Sequence, residues 1–534
     1  MLHDLALTAP LLILLFAALF TLVVDPFLPA NTGSRHFWGP FGAVFSGLAL
    51  VAATLLWLNG PHEMQTVAFG HHLSASPHSL FFIALVCGCA LITHLASPQY
   101  LVEQGTSYGE YYALLHFATF GMAAMVAAES LISLFIALEI MSMSVYVLVA
   151  FKRTSPASVE AGMKYFIIGS VASALLLYGM AFLYGLSGGT TFVEIQRALA
   201  NPKPGQGLWL SLAVVLTLAA FLFKVAAAPF HMWAPDAYEG APTPVTGFMS
   251  SAVKVAAFGA LLKFLFAALA GSAVGQLPLS LATLLAGLAL FTMTVGNLLA
   301  LVQKSVKRML AYSAVAHAGY LLLGCVAVVV DPTLGAPYLV PGGAVPFYLI
   351  GYALASLAAF AALSTLGKAG EELTGESQLT GLGHHHPLAG AVLALAMLSL
   401  AGVPPTLGFF GKLELLREVL RVDDGKYLPH VIVLVVNSVV SAYYYLRVTV
   451  HVYMRPEGKM VREYVREPSL SWAMGLSAVA ILVLGFLPNR ALTVSTRSAA
   501  GIRTTVANRQ IRHAMAPAGP LVHLKAAAPL AVVK

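Results

Sequence analysis

Four ionisable side chains sit inside long apolar runs or at a break in one. Lys224 lies in LTLAAFLFKVAAAPF, Lys254 in GFMSSAVKVAAFGALL and Glu139 in LISLFIALEIMSMSVYVLV. Lys412 follows the interruption Gly402-Val403-Pro404-Pro405. A lysine at the centre of an apolar helix costs roughly 2.5–3.5 kcal/mol on insertion scales, so packing alone does not justify it. Glu139 needs a partner or a water-filled cavity; Ser142, one turn on, helps without neutralising it. It reads either as a protonated, hydrogen-bonded glutamate or as a functional carboxylate. The chemistry such groups offer is the gain and loss of a proton. His231 and His317, the latter in LAYSAVAHAGYLLLG, titrate near neutral pH. Glu160 and Lys164 stand in the favourable i, i+4 order of a helix pair, which an ordinary ion pair near the membrane surface also explains. Lys263 is nine residues from Lys254, on the opposite helix face. It is nearer the helix end and is expected to snorkel to the interface.

Membrane-spanning helices must position these groups. Of 534 residues, 59% are hydrophobic and 10% charged, and mean hydropathy is +0.83. A soluble chain is about a quarter charged. Apolar runs of about 20 residues recur throughout, each long enough to cross a bilayer. The fold class is an all-α polytopic membrane protein with about 14 transmembrane helices, two of them broken. No sustained period-2 alternation suggests a barrel. The net charge of +7 reflects basic loops and a basic tail rather than nucleic-acid binding. Cys87, Cys89 and Cys325 lie in apolar runs without the further ligands of a zinc or iron–sulfur site, and read as small apolar side chains. No dinucleotide fingerprint, P-loop or haem-attachment motif is present, so no cofactor or metal is expected in this chain.

The expected spans are Leu5–Val24, Phe37–Leu58, Ser79–Ala96, Tyr111–Ala128, Leu131–Phe151 and Val159–Tyr184. Two follow within Leu208–Leu269, joined by the stretch from Pro229 to Pro242. Then come Leu279–Val302, Met309–Val330, Val345–Leu366, an interrupted segment from Leu388, Leu428–Met454 and Leu470–Leu487. The stretch Gly60–His78, with His62, His71, His72 and His78, reads as a solvated connection, with metal binding as the alternative. Thr190–Leu199 reads as a short amphipathic surface helix, and the basic tail from Asn489 to Lys534 as mobile or adsorbed on a surface. Lys152, Arg153, Lys304, Lys307, Arg308, Arg455 and Lys459 place the loops after odd-numbered segments in the cytoplasm and the N-terminus outside.

Lysines beside proline breaks recur five segments apart, Lys224 with Pro229 and Lys412 with Pro404-Pro405. That spacing suggests two inverted five-helix repeats with ion sites near the midplane. The expected units are N-terminal helices at 1–110, a first repeat at 111–270, a second at 271–455, a last helix at 456–488 and the tail at 489–534.

The stretch from Lys224 through Pro229, His231, Trp233 and Tyr238-Glu239-Gly240-Ala241-Pro242 to Val245 resembles the signature of the antiporter-like, proton-pumping membrane subunits of respiratory complex I. So does Lys307-Arg308-Met309-Leu310-Ala311-Tyr312, continuing through His317 to Tyr320. That family also includes subunits of multisubunit Na⁺/H⁺ antiporters. The wording around Tyr238 and His317, and lysine at position 412, resemble NADH-quinone oxidoreductase subunit N more than subunits L or M. The resemblance covers roughly Tyr111 to Met454. It implies a multi-pass subunit of a bacterial inner membrane that couples electron transfer from NADH to quinone, in other subunits, to proton movement. Glu139 would tune Lys224, Lys254 would connect the halves, and Lys412 would face the proton exit. Lys164, His231 and His317 match family positions as relay candidates of lesser weight. NAD, FMN, iron–sulfur clusters and quinone would belong to partner subunits. The implied partners are M and K-like neighbours, the lateral helix of subunit L, and lipid, with no nucleic acid. Burial disfavours a charged lysine and a carboxylate favours it, so a shifting carboxylate influence would switch a lysine between loaded and empty. An antiporter subunit is the alternative function. A scaffold with a vestigial channel is a third, and it would gain nothing from midplane lysines.

Overall fold

The computed structural model describes residues 2–28, 32–59, 67–200, 203, 205–269, 280–330, 343–368, 371–372, 375–421, 425–455 and 468–515. The first helices are α1 (Ala9–Val24), α2 (Thr32–Asn59), α3 (Pro77–Glu103), α4 (Gly109–Ala127), α5 (Leu131–Val149) and α6 (Pro156–Ser187). Then α7 (Gly207–Lys224) stops at a turn and is followed by the short α8 (Trp233–Gly240). Next come α9 (Thr243–Ala267), α10 (Leu281–Leu301), α11 (Val306–Val330) and α12 (Ala344–Leu363). The second interrupted helix is α13 (Pro387–Ala401) with α14 (Leu407–Arg421). The order ends with α15 (Leu428–Tyr453), α16 (Pro468–Phe486) and α17 (Pro488–Met515).

Among the described residues, 12 helices are long and apolar enough to cross a membrane. The chain is a polytopic, all-α membrane protein. Two of the expected segments lie outside that set. Helix α4 holds Glu110, Tyr111, Tyr112 and His116, which dilute its apolar character. The segment beginning near Leu388 is divided into α13 and α14 by the residues from Gly402 to Thr406.

Burial sorts the helices into a centre and a rim. Helix α9 is enclosed on all sides, with Phe266 its one residue short of full burial. Helix α2 instead turns Val44, Leu48, Val51, Leu55 and Leu58 outward, a stripe at helical spacing. Small residues allow close helix approach. A Cβ on Gly296 would lie 2.5 Å from the Ala316 nitrogen, and one on Gly319 would lie 2.4 Å from the Met293 nitrogen, so α10 and α11 meet at backbone distance.

Two expectations change here. Val67–Ala68 and Leu73–Ser74 pair as a small antiparallel hairpin. Ser76 caps α3, so His78 falls in its first turn, fully buried, with Nε2 2.9 Å from the Gly259 carbonyl. His72 Nδ1 lies 2.9 Å from Ser130 Oγ, while His62 is outside the described residues. The C-terminal stretch is not free at its start. Helix α17 buries Ala491, Ser495, Ser498 and Ala499, a stripe of small residues that lets it pack on α3 and α12. Positions 516–534 lie outside the described residues. The expected surface helix is present as Phe192–Ala200.

Gly402 ends α13 with φ of 88°, and a Cβ there would lie 3.1 Å from Lys412 Cδ. An L side chain in the left-handed region costs about 1–2 kcal/mol. Gly402→Ala should therefore lower the thermal unfolding midpoint of the purified protein by about 1–2 degrees; an unchanged midpoint would show that the break tolerates an ordinary residue.

Candidate functional site

The first cluster forms where α7 ends. Lys224 Nζ donates to Ser142 Oγ at 2.7 Å and to Tyr146 Oη at 3.2 Å, both on α5. Its ammonium also faces the rings of Tyr146 at 5.1 Å and Tyr165 at 5.7 Å. Glu139, on the same helix as Ser142, accepts a short hydrogen bond from Ser173 Oγ. No direct ion pair joins Glu139 to Lys224 among the described residues. Ser142, one helix turn beyond Glu139, is one of the groups that the lysine contacts. Beyond α7 the backbone takes φ of 58° at Ala226, a non-glycine residue in the left-handed region. The chain is then tied back: Trp233 Nε1 donates to the Phe223 carbonyl at 3.0 Å, and the Trp233 ring stacks on Tyr165 at 4.1 Å.

The second cluster fills the centre. A π-helical turn at Met249–Val253 precedes Lys254, a distortion frequent at functional positions. Lys254 Nζ donates a short hydrogen bond to the Ala314 carbonyl. His317, one turn further along α11, is held by two tyrosines: Nδ1 lies 2.6 Å from Tyr348 Oη and Nε2 lies 3.0 Å from Tyr445 Oη. The Tyr352 ring lies 5.2 Å from Lys254 Nζ and 4.9 Å from the His317 ring. The Tyr320 ring lies 5.6 Å from Lys412 Nζ and 5.5 Å from the same imidazole. His317 thus stands between Lys254 and Lys412, one aromatic ring away from each. Lys412 reaches back across the break and donates to the Ala401 carbonyl at 2.8 Å. That carbonyl belongs to the last turn of α13, where the interrupted helix supplies no donor.

An ammonium carries three N–H donors. Lys254 and Lys412 each have one hydrogen-bond acceptor among the described residues, and neither forms an ion pair there. Beside that acceptor, Lys254 faces the Tyr352 ring and Lys412 the Tyr320 ring.

Lys263 is different, and the snorkelling expectation is corrected. It is 4% exposed, paired at 3.0 Å with Glu129, which is 1% exposed. It also donates to Ser74 Oγ, Ser79 Oγ and the Val126 carbonyl at 3.0 to 3.2 Å. The hairpin and the α4–α5 link fold over this end of α9, so protein encloses the side chain. The opposite-face reading holds: Lys254 faces α11 and α12, and Lys263 faces α3 and α4.

Of the lesser candidates only His317 enters a cluster; Lys164 and His231 are drawn into neither. Lys164 is 45% exposed and pairs with Glu160 at 2.7 Å and Asp236 at 3.1 Å. His231 lies half-buried in the turn before α8, and its Nδ1 has no partner among the described residues. Asp236 also meets Arg308, which reaches Glu239 as well.

Several groups at these sites gave no warning in the sequence. Tyr348, Tyr352 and Tyr445 looked like ordinary aromatic residues of apolar helices. Asn297 bonds Tyr320, Tyr444 and Asn437 behind the imidazole. Lys307, noted only as part of a basic loop and a family signature, is buried and bonds Glu372 at 2.7 Å and the Ala241 carbonyl at 2.7 Å. Burial pushes the Glu372 carboxyl up to about 8, against the pull of the Thr243 amide. Glu372, one polar residue among several between two spans, offered only a weak signal.

Comparison with known proteins agrees with this architecture. The family described as NADH:quinone oxidoreductase/Mrp antiporter, TM, matches residues 128–441. NADH-quinone oxidoreductase subunit N 1 of Sorangium cellulosum is 42% identical over 464 residues, covering 86% of this chain and 88% of the relative. A chain of respiratory complex I from Thermus thermophilus superposes with a TM-score of 0.73 at 32% identity, covering 91% of this chain and 99% of that one. A chain of the Mrp complex from Dietzia shares the fold, with a TM-score of 0.78 at 20% identity, covering 94% and 99%. With more than half of its length in the family region and a subunit N relative matching most of the rest, the chain belongs to the NADH:quinone oxidoreductase/Mrp antiporter family of membrane subunits, alongside NADH-quinone oxidoreductase subunit N.

Proposed function

We propose that this chain is the proton-translocating membrane subunit N of a quinone-reducing complex I. It would couple electron transfer from NADH to quinone, carried out with NAD, FMN and iron–sulfur clusters in partner subunits, to proton movement through its own side chains. The observation that carries this reading is His317 standing one ring away from both Lys254 and Lys412 in the centre of an apolar bundle. Among the described residues, Lys254 and Lys412 lack the carboxylate and the full set of acceptors that would fix a positive charge. Each therefore sits where the neutral form competes, which is what loading and release of a proton require. Glu139 acts on Lys224 through space, so a displacement of either changes the preference of the lysine for its proton. Water fills the intervals that side chains do not span.

The two broken helices belong to the two five-helix units at 111–270 and 271–455, and each places a lysine at its break. Lys164 and His231, near the Asp236 network, serve as uptake-side relays of lesser weight. The neighbours in the assembly are other complex I membrane subunits of the M and K types and the lateral helix of subunit L, in a bacterial inner membrane with the N-terminus outside. Lys263 passes on no proton in this scheme, because two hydroxyls, a carbonyl and a buried carboxylate hold its charge.

In assembled complexes reconstituted into vesicles, Lys224→Ala should slow proton pumping by roughly a hundredfold, the low end for loss of a proton-transfer group. Glu139→Ala, which removes a tuning charge, should slow it by about tenfold. Wild-type rates in both variants at normal assembly would sink the pathway. Transport that requires sodium would assign the chain to the antiporter function instead.

Lys412→Arg keeps the charge but should abolish most pumping, since arginine is effectively always protonated. Near-normal pumping would mark Lys412 as a counter-ion.

Lys263→Ala should act on stability instead. Breaking a buried ion pair costs about 3–5 kcal/mol, while replacing both partners with neutral groups of similar size is close to neutral. Poor assembly of Lys263→Ala should therefore be restored in the double variant Glu129→Gln, Lys263→Met, with pumping per assembled complex near wild type. An assembled double variant that does not pump would place the pair in the pathway.

A further inference from the structure

We infer that Ser399 anchors a single water molecule that bridges the His317–Tyr348 pair to the helix break held by Lys412. This rests on the pathway reading above and adds to it a site and a positioning residue.

The site is a cavity of about 10 Å³, lined by His317, Tyr348, Tyr352, Ser399 and Gly408 among others. That volume suits one water, which needs two or more polar partners. Ser399 supplies an unusual one. Serines inside helices commonly bond back to the carbonyl four residues earlier. Ser142, Ser144 and Ser477 do so here, at 2.5, 2.8 and 2.8 Å. Ser399 does not: its hydroxyl is buried, lines the cavity and has no partner among the described residues. A buried hydroxyl left unbonded forfeits its hydration, and a partner that fits the cavity removes that penalty.

Tyr348 supplies the second contact. Its hydroxyl is bonded to His317 Nδ1, and a phenol can hold one hydrogen bond as donor and another as acceptor. Gly408 keeps the space open and the backbones close. A Cβ there would lie 3.2 Å from Ser399 Oγ and 1.8 Å from the Ser399 carbonyl. On the far side, Ser399 is two residues from Ala401, whose carbonyl accepts from Lys412. A water at this position takes a proton from one neighbour as it passes one to the next, so it carries charge with no net change.

The test uses the assembled complex, both for high-resolution structure determination and for pumping in vesicles. The wild type should show one ordered water beside Ser399 Oγ. Ser399→Ala should lose that water with the backbone unmoved. It should pump about tenfold more slowly, the effect of one lost hydrogen bond, with a larger solvent isotope effect than the wild type. A dry site in the wild type overturns the inference. So does wild-type pumping by Ser399→Ala when Lys412→Met is inactive, a result that leaves the pathway standing. Wild-type pumping by both variants removes the pathway and this site together.

Discussion

A cation buried among apolar helices must be fully satisfied or must be able to become neutral, and this constraint divides the lysines of the chain. Lys263 is satisfied, with a carboxylate, two hydroxyls and a carbonyl around it. Lys254 and Lys412 have one backbone carbonyl each and aromatic faces for the rest. The same residue type in one apolar bundle thus serves two ends. A locked lysine ties the hairpin and the α4–α5 link onto α9. The loosely bonded ones stay responsive to their surroundings, and the aromatic ring beside each lowers the cost of the charge without fixing it.

The helix breaks obey a related rule. Backbone groups freed inside a membrane must find partners in protein or water. At the first break, Trp233 takes the Phe223 carbonyl, and Thr292 Oγ1 accepts from the Ala228 amide at 3.1 Å. At the second, Lys412 takes the Ala401 carbonyl. Lys412, proposed above to carry a proton, is therefore also a structural donor at the second break. Any change that draws Lys412 toward another acceptor exposes a carbonyl, and the break and the lysine must move together.

Charge at the ends of the helices has a different character. Lys164, Asp236, Arg308, Glu239 and Glu160 form a partly exposed network, and exposed pairs of this kind contribute little each. Their contribution is positional, since Asp236 and Glu239 belong to α8 and Arg308 to α11. The network holds the segment after the first break against the helix that carries His317.

Composition and periodicity determined the class of this protein. Apolar runs dictate spanning helices because nothing else buries them, and Pro404-Pro405 dictates an interruption because proline removes an amide. The opposite faces of Lys254 and Lys263 followed from nine residues at 3.6 per turn. The buried cations were legible as costly, and the signatures around Trp233 and His317 pointed to the family. Tertiary structure decided which cations are paired. Glu129 meets Lys263, Ser142 meets Lys224 and Glu372 meets Lys307 across separations of 134, 82 and 65 residues, and local pattern carries no information about such contacts. It also decided that His78 and the start of the basic C-terminal stretch are buried, because a cap and a stripe of small residues reveal their partners only once the helices pack. Ser399 belongs to that second group: in the sequence it is one more serine in an apolar helix, and its unbonded hydroxyl exists only where α13, α12 and α14 enclose it.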